Sequence, residues 1–175
     1  SSEIRKRLEK GFDHFIDVRG KSTEEAVELI QGHEIDVAVN LNGFTLGERT
    51  RIFTFRPAPI QVNYLGYPGT MGASFMDYII GDAFTIPEEA RACYTEKIVY
   101  LPDTFQVNDS TRKIARLATG RSESGLPEDG FVFCSFANSY KINPKLFDVW
   151  MRLLEKVERS VLWLAEWNPW MTENL

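Results

Sequence analysis

One lysine of this 175-residue chain stands where phosphate-binding groups often lie. Lys141 follows the apolar run 131–136 after a short loop, and it precedes Asn143-Pro144, a pair that typically starts a helix. Free backbone N–H groups, a helix dipole and a flexible ammonium at such a junction together favour phosphate. A solvated surface lysine is the alternative interpretation. Further polar side chains in this loop come from Asn138, Ser139 and Tyr140.

A glycine-rich loop at residues 65–72 is the second candidate for chemistry. Its sequence, LGYPGTMG, holds three glycines and a proline, which excludes a helix or a central strand. The segments 60–64 and 75–80 on either side have the β-branched and aromatic character of strands. Ligands of open α/β sheets bind at the carboxyl ends of strands, so this loop could bring backbone close to a ligand. A tight structural connection would give the same pattern.

Charged side chains elsewhere give weaker signals. Arg49, Arg51 and Arg56 form a basic group near the glycine-rich loop. They could meet an anionic substrate, or they could be solvated or pair with local acids. Asp77 and Asp82 flank a predicted strand, and neither forms a pair at catalytic spacing. Carboxylates in such places usually form turns.

Composition excludes several classes of protein. A net charge of −5 gives no support for binding nucleic acid by bulk attraction, and no apolar run reaches the roughly 18 residues of a membrane span. Cys93 and Cys134 are far apart and predict free thiols in a reducing, cytoplasmic compartment. The two isolated histidines, His14 and His33, do not predict a zinc site.

Alternating strand and helix patterns predict an α/β fold with parallel sheets. Ser22 and Glu25 have the spacing of a capping box at the start of a helix. The run 35–41 is almost continuously apolar, as expected for a strand buried on both faces. Strands are predicted at 14–18, 35–41, 60–64, 76–80, 96–101, 131–136 and 161–164. Helices are predicted at 3–10, 23–32, 47–55, from Pro87 onward and from Pro144 to Ser160.

The chain changes character at about Val107. From there to Gly130 it is polar and weakly patterned, which is typical of an interdomain linker or of a long surface loop. Residues 131–164 then contain one strand–helix–strand unit. One such unit leaves much apolar surface exposed, so we expect it to open a second domain.

Five blocks of the chain form a highly specific combination. They are 36–43 (DVAVNLNG), 56–62 (RPAPIQV), 65–72 (LGYPGTMG), 76–80 (MDYII) and 131–144 (FVFCSFANSYKINP). In this order they resemble the catalytic region of the protein O-linked N-acetylglucosamine transferases, and the likeness runs from about Phe12 to Leu164. It is greatest to bacterial members, which often carry tetratricopeptide repeats.

The resemblance implies the Rossmann-like parallel sheets of a two-lobed glycosyltransferase of the GT-B type. Residues 1–106 would form the second half of the amino-terminal catalytic lobe. Residues 107–130 would be the interlobe linker, and residues 131–175 would start the carboxy-terminal, nucleotide-binding lobe, with the active site between the lobes.

The resemblance also implies the reaction. The family moves N-acetylglucosamine from UDP-N-acetylglucosamine to Ser or Thr hydroxyls of acceptor proteins, with inversion, without a metal and with no cofactor besides the donor. The catalytic base is expected before residue 1, and most contacts to uridine are expected after residue 175. The fragment alone is therefore expected to be inactive without these flanking parts.

Site residues follow position by position from the same resemblance. Lys141 matches a lysine that contacts the diphosphate, and an ammonium there would stabilise the leaving UDP. Tyr140 matches a tyrosine beside the sugar, and Asn138 stands where some members have glutamine. Residues that match the lining of the sugar pocket are Leu65, Gly66 and Pro68.

The chain departs from the family pattern at two positions. Phe44 stands where many bacterial members have histidine and others have tyrosine. Asp103 stands where histidine is expected after Pro102. Neither His14 nor His33 matches the position of the catalytic base.

Three alternatives stay open on sequence grounds. The enzyme could use another donor sugar or an Asn acceptor. The chain could be a degenerate lobe that binds a protein partner. An unrelated α/β nucleotide-binding domain is a third interpretation, which the ordered blocks disfavour.

Overall fold

A computed structural model describes residues 2–113 and 120–174. The chain divides into two compact units, Ser1–Ser110 and Thr111–Leu175. Residues 114–119 of the predicted linker lie outside the described residues, as do Ser1 and Leu175. The assignment of the units to two catalytic lobes stays a prediction.

The first unit is built on a four-stranded parallel sheet. Its strands lie in chain order, β1-β2-β3-β4, with Asn40 of β1 in register with Asn63 of β2. Each strand overlaps a predicted one, although β3 starts two residues late. The strands are β1 Val37–Asn40, β2 Ile60–Asn63, β3 Tyr78–Gly81 and β4 Lys97–Tyr100.

The connection from β2 to β3 is unusual because residues 64–77 cross between the two parallel strands without a helix. Parallel strands are usually joined through a helix. Here Met71 and Met76 are 5% and 4% exposed, so the connection packs its own apolar side chains into the unit.

Helices of this unit are α1 Glu3–Gly11, α2 Thr23–Gly32 and α3 Arg51–Thr54. The predicted capping box of α2 is confirmed: Ser22 Oγ accepts from Glu25 N at 3.1 Å, and the Glu25 carboxylate accepts from Ser22 N at 2.6 Å. The predicted helix 47–55 is wrong over its first half, because Gly47 has φ +79°, outside the helical region. The helix after Pro87 is a 3₁₀ helix, Glu88–Cys93.

Two further predictions for this unit are wrong. Residues 14–18 form no strand, and Ile16 and Val18 instead line a groove against α2. Strand β1 is not buried on both faces, since Val37 and Val39 are 46% and 43% exposed while Ala38 is buried. Nothing among the described residues covers that face of this edge strand.

The second unit contains the predicted strand–helix–strand arrangement. Strands β5 Val132–Ser135 and β6 Val161–Leu164 are parallel and are joined through α4 Pro144–Lys156. The predicted cap is confirmed, because Asn143 Oδ1 accepts from Leu146 N at 3.0 Å. Helix α4 ends before Ser160, and a short helix α5, Pro169–Asn174, was not predicted. Within residues 2–113 and 120–174, helices long and apolar enough for a membrane crossing are absent.

Candidate functional site

Gly66 closes the carboxyl edge of the first sheet. Its N–H donates to the carbonyl of Leu41, just beyond β1, at 3.0 Å. A Cβ added at Gly66 would lie 2.5 Å from that same oxygen and 3.2 Å from Asn42 Cα. Only glycine allows this approach, so the loop after β2 rests on the loop after β1.

The first half of the glycine-rich loop is fixed by hydrogen bonds from Asn63. This last residue of β2 is fully buried, and its amide Nδ2 donates to the carbonyls of Tyr67 at 2.9 Å and Gly69 at 3.3 Å. Leu65 has φ +73°, a conformation that few residues other than glycine adopt. Gly66 and Pro68 are exposed at the rim of this loop.

The second half of the loop is held by residues that precede β4. The buried carboxylate of Glu96 accepts from Thr70 Oγ1 and from Met71 N, each at 2.6 Å. The Tyr94 hydroxyl donates to the Pro68 carbonyl at 2.9 Å. Burial raises the pKa of Tyr94, which keeps this hydroxyl protonated and able to donate. Both halves of the loop are therefore fixed by side chains from β2 and from the segment that leads into β4.

Two aromatic rings flank the same edge. Phe44, at one of the positions that depart from the family pattern, is 54% exposed and meets the Tyr67 ring edge-on with 5.5 Å between centroids. A Cβ added at Gly43 would lie 2.4 Å from Tyr67 Cβ, so the two loops approach closely here as well.

We expect Gly66→Ala to destabilise the first unit by roughly 1–3 kcal/mol, the usual cost of forcing an atom into packed structure. The added methyl must displace the backbone at Leu41 and Asn42, which cannot rotate away. Thermal or urea unfolding measures the change. Gly20→Ala is the control, because an added Cβ there meets nothing within 4 Å. Equal stability of the two variants would contradict the close approach.

Lys141 lies at the end of a 3₁₀ turn, Ser139–Lys141, between β5 and α4. The turn closes through Lys141 N, which donates to the Asn138 carbonyl at 3.0 Å. Lys141 and Tyr140 are both exposed, and the ammonium lies 6.0 Å from the Tyr140 ring centroid. Within the described part of the chain the ammonium has no acidic partner. It is thus available to an anion from outside this unit.

The arginines behave differently, because local groups engage them. Arg49 donates to the carbonyls of Val18, Lys21 and Ser22. Arg56 pairs with Asp77 at 3.0 Å, and Arg51 lies 3.6 Å from Glu24. Of the two interpretations, the structure favours local pairing over contact with a substrate.

Asp82 has a structural role at the end of β3. It accepts from the backbone N–H groups of Thr85 and Phe105, each at 2.7 Å. These bonds, with that to Phe105 the largest cause, hold the pKa of Asp82 below its ordinary value. The carboxylate is therefore a turn former, as strand-end carboxylates usually are.

The two histidines lie elsewhere in the first unit. His14 and His33 stack with 6.2 Å between ring centroids and line an apolar groove of about 420 Å³ beside α2. Across residues 2–113 and 120–174, no group of three or more potential His, Cys, Asp or Glu metal ligands is found.

The predicted site residues thus form two sets, one in each unit. Leu65, Gly66 and Pro68 share one loop, and Asn138, Tyr140 and Lys141 share one turn. Sequence reasoning did not single out the side chains that hold the loop, Asn63, Tyr94 and Glu96. The only available signal was an amide near the end of the predicted strand 60–64, and it pointed to no particular partner.

A model of glycosyl transferase family 41 matches residues 1–119 and 111–174. The chain belongs to this family. The resemblance seen in the five sequence blocks is therefore confirmed. The family-41 chain is 40% identical over 169 residues to a protein of Arabidopsis thaliana named probable UDP-N-acetylglucosamine–peptide N-acetylglucosaminyltransferase SEC. The match covers 94% of this chain and 17% of that protein.

Two other similar proteins, one matched by sequence and one by structure, support this family assignment. A Solanum lycopersicum protein with the same probable activity, SPINDLY, is 34% identical over 83% of this chain and 15% of its own length. In structure, the chain matches a mutant O-GlcNAc transferase of Thermobaculum terrenum with a TM-score of 0.80 and 28% identity, over 99% of this chain and 32% of that one. The α/β fold class with parallel sheets of the GT-B type is confirmed. The chain spans less than a fifth of either curated relative.

Proposed function

We propose that this family-41 chain is part of the catalytic region of an inverting glycosyltransferase. The enzyme would move N-acetylglucosamine from UDP-N-acetylglucosamine to Ser or Thr hydroxyls of acceptor proteins. The observation that carries the proposal is the exposed ammonium of Lys141, without an acidic partner in the described residues, at the turn that leads into α4. The activities printed for the relatives support the choice of donor and acceptor.

In this reaction the acceptor oxygen forms a bond to the anomeric carbon while the bond from that carbon to the UDP oxygen breaks. The departing diphosphate gains negative charge, and we assign its stabilisation to Lys141. Tyr140 would lie beside the sugar and Asn138 beside the donor. The proton of the acceptor hydroxyl goes to a base that we do not assign to any residue of this chain.

The loop that carries Leu65, Gly66 and Pro68 would line the sugar pocket. Bonds from Asn63, Tyr94 and Glu96 fix its shape, so it can receive the sugar without first being ordered. Because an ammonium supplies the positive charge, we propose that the donor is used without a metal or a further cofactor.

The test is a transfer assay with the full-length protein that carries this chain. We expect UDP-N-acetylglucosamine to yield UDP and N-acetylhexosamine on Ser or Thr of acceptor proteins, detected by mass spectrometry and unaffected by EDTA. Preference for UDP-glucose, or linkage to Asn, would support the alternative transferases. Protein binding without release of UDP would support a degenerate binding module.

Several finer points belong to this proposal and stay predictions. The 175-residue chain alone is expected to be inactive and to require the flanking parts of the catalytic region. A cytoplasmic location is favoured by two free, exposed thiols, Cys93 and Cys134. An association with tetratricopeptide repeats rests on the resemblance to bacterial members of the family alone.

A further inference from the structure

Asn63 is a buried amide that supports the glycine-rich loop after β2. It is fully buried at the end of β2, and its Nδ2 donates to two carbonyls of that loop, those of Tyr67 and Gly69. We propose that Asn63 is a positioning residue for the sugar pocket and sets donor affinity by holding residues 65–69. This inference rests on the proposed function.

An amide is the side chain that this position requires. It offers two donors on one nitrogen and carries no charge, so it satisfies two carbonyls at once. An ionised carboxylate of the same size only accepts hydrogen bonds, so its negative oxygens would be repelled by the two carbonyl oxygens. An apolar residue would leave both carbonyls without a donor, and a buried polar group without a partner is costly.

A second buried amide extends the same arrangement to the neighbouring loop. Asn40, in register with Asn63, is 5% exposed. Its Oδ1 accepts from Asn42 N and Gly43 N, each at 3.1 Å. The loop it shapes is the one that Gly66 contacts through the Leu41 carbonyl. Two amides on adjacent strands therefore fix the two loops that meet at the carboxyl edge.

Gln61 provides a matched control on the same strand. Like Asn63, it is fully buried, and its Nε2 donates to two carbonyls, those of Phe53 at 2.9 Å and Phe75 at 2.6 Å. The side-chain oxygens of Gln61 and Asn63 both lack a hydrogen-bond partner in the described residues. Among the described residues, Gln61 makes no hydrogen bond to residues 65–69. Gln61→Glu thus removes an equivalent pair of bonds away from the pocket.

The first experiment compares Asn63→Asp with Gln61→Glu in the full-length protein. We expect both to lower the melting temperature. Only Asn63→Asp should raise KM for UDP-N-acetylglucosamine, by about tenfold, a change of about 1.4 kcal/mol in donor affinity. Asn63→Ser keeps one donor and should give a smaller rise, which provides a variant if Asn63→Asp fails to fold. An equal change of KM in the Asn63 and Gln61 variants would overturn the inference.

The second experiment does not depend on turnover. Hydrogen exchange of a peptide spanning 64–72 is measured in the wild type and in the same variants. Exchange should be faster in the Asn63 variants than in the wild type, and unchanged in Gln61→Glu. If the wild type transfers no sugar, the proposed function fails while this measurement still decides the role of Asn63. Unchanged exchange in both Asn63 variants would overturn it.

Discussion

Lys141→Ala in the full-length protein is expected to lower kcat by roughly 10²–10³-fold, the usual loss on removing one group that stabilises charge in the transition state. The ammonium is exposed and has no acidic partner in the described residues, so its removal leaves no unpaired local group behind. Stability should therefore change little. Steady-state transfer from UDP-N-acetylglucosamine measures the rate, and thermal unfolding measures the stability.

Lys145 supplies the control for this prediction. It is an exposed lysine in the first turn of α4, four residues beyond Lys141. Lys145→Ala removes the same charge from the same helix end, and we expect kcat to stay within about twofold, because a solvated surface charge contributes little. If both variants are equally slow, bulk attraction of the donor explains the effect. An unchanged rate in Lys141→Ala would remove the assigned role.

Gly130→Ala is expected to have the largest effect on stability, about 3 kcal/mol or more. Gly130 has φ +106°, which strains any residue with a side chain, and an added Cβ would lie 1.9 Å from the Arg159 carbonyl. Gly130 stands just before β5 and Arg159 just before β6. The substitution should therefore separate the start of the two-stranded sheet, and urea unfolding followed by tryptophan fluorescence measures the loss.

Gly125→Ala distinguishes backbone strain from overlap. Gly125 also has positive φ, +69°, but an added Cβ there meets nothing within 4 Å. Its cost is expected to be about 1–2 kcal/mol, the penalty for a left-handed residue. Similar losses of unfolding free energy in Gly130→Ala and Gly125→Ala would show that overlap with the Arg159 carbonyl adds nothing to the cost of backbone strain.

Local rules predicted the parts of the fold that depend on neighbours in sequence. Ser22 with Glu25, and Asn143 with Pro144, start their helices as expected because a cap satisfies backbone donors only three residues away. The prediction failed at 14–18, where a β-branched pattern lines a groove against α2 instead of pairing with a strand. It also failed at Gly47, whose backbone angle depends on the turn around it.

The candidate site was predicted in part for the same reason. The glycine-rich loop and the lysine at the start of a helix can be recognised in the sequence, because glycines predict loops and cap residues predict helix starts from neighbouring residues alone. Glu96 accepts a hydrogen bond from Met71 N, which lies 25 residues away in the chain. No local sequence pattern around either residue predicts that contact. Long-range bonds of buried side chains are fixed by the fold, so the residues that hold the loop emerged only from the structure.

The connection between β2 and β3 has a consequence for redesign. Because the segment that is proposed to line the sugar pocket is itself the crossover between two parallel strands, its length is constrained by the spacing of the sheet. Insertions or deletions within 64–77 would shift strand pairing rather than merely reshape a rim. Changes of sugar preference should therefore be sought by exchanging side chains of this loop, such as half-buried Leu65 or exposed Pro68, with the backbone path left intact.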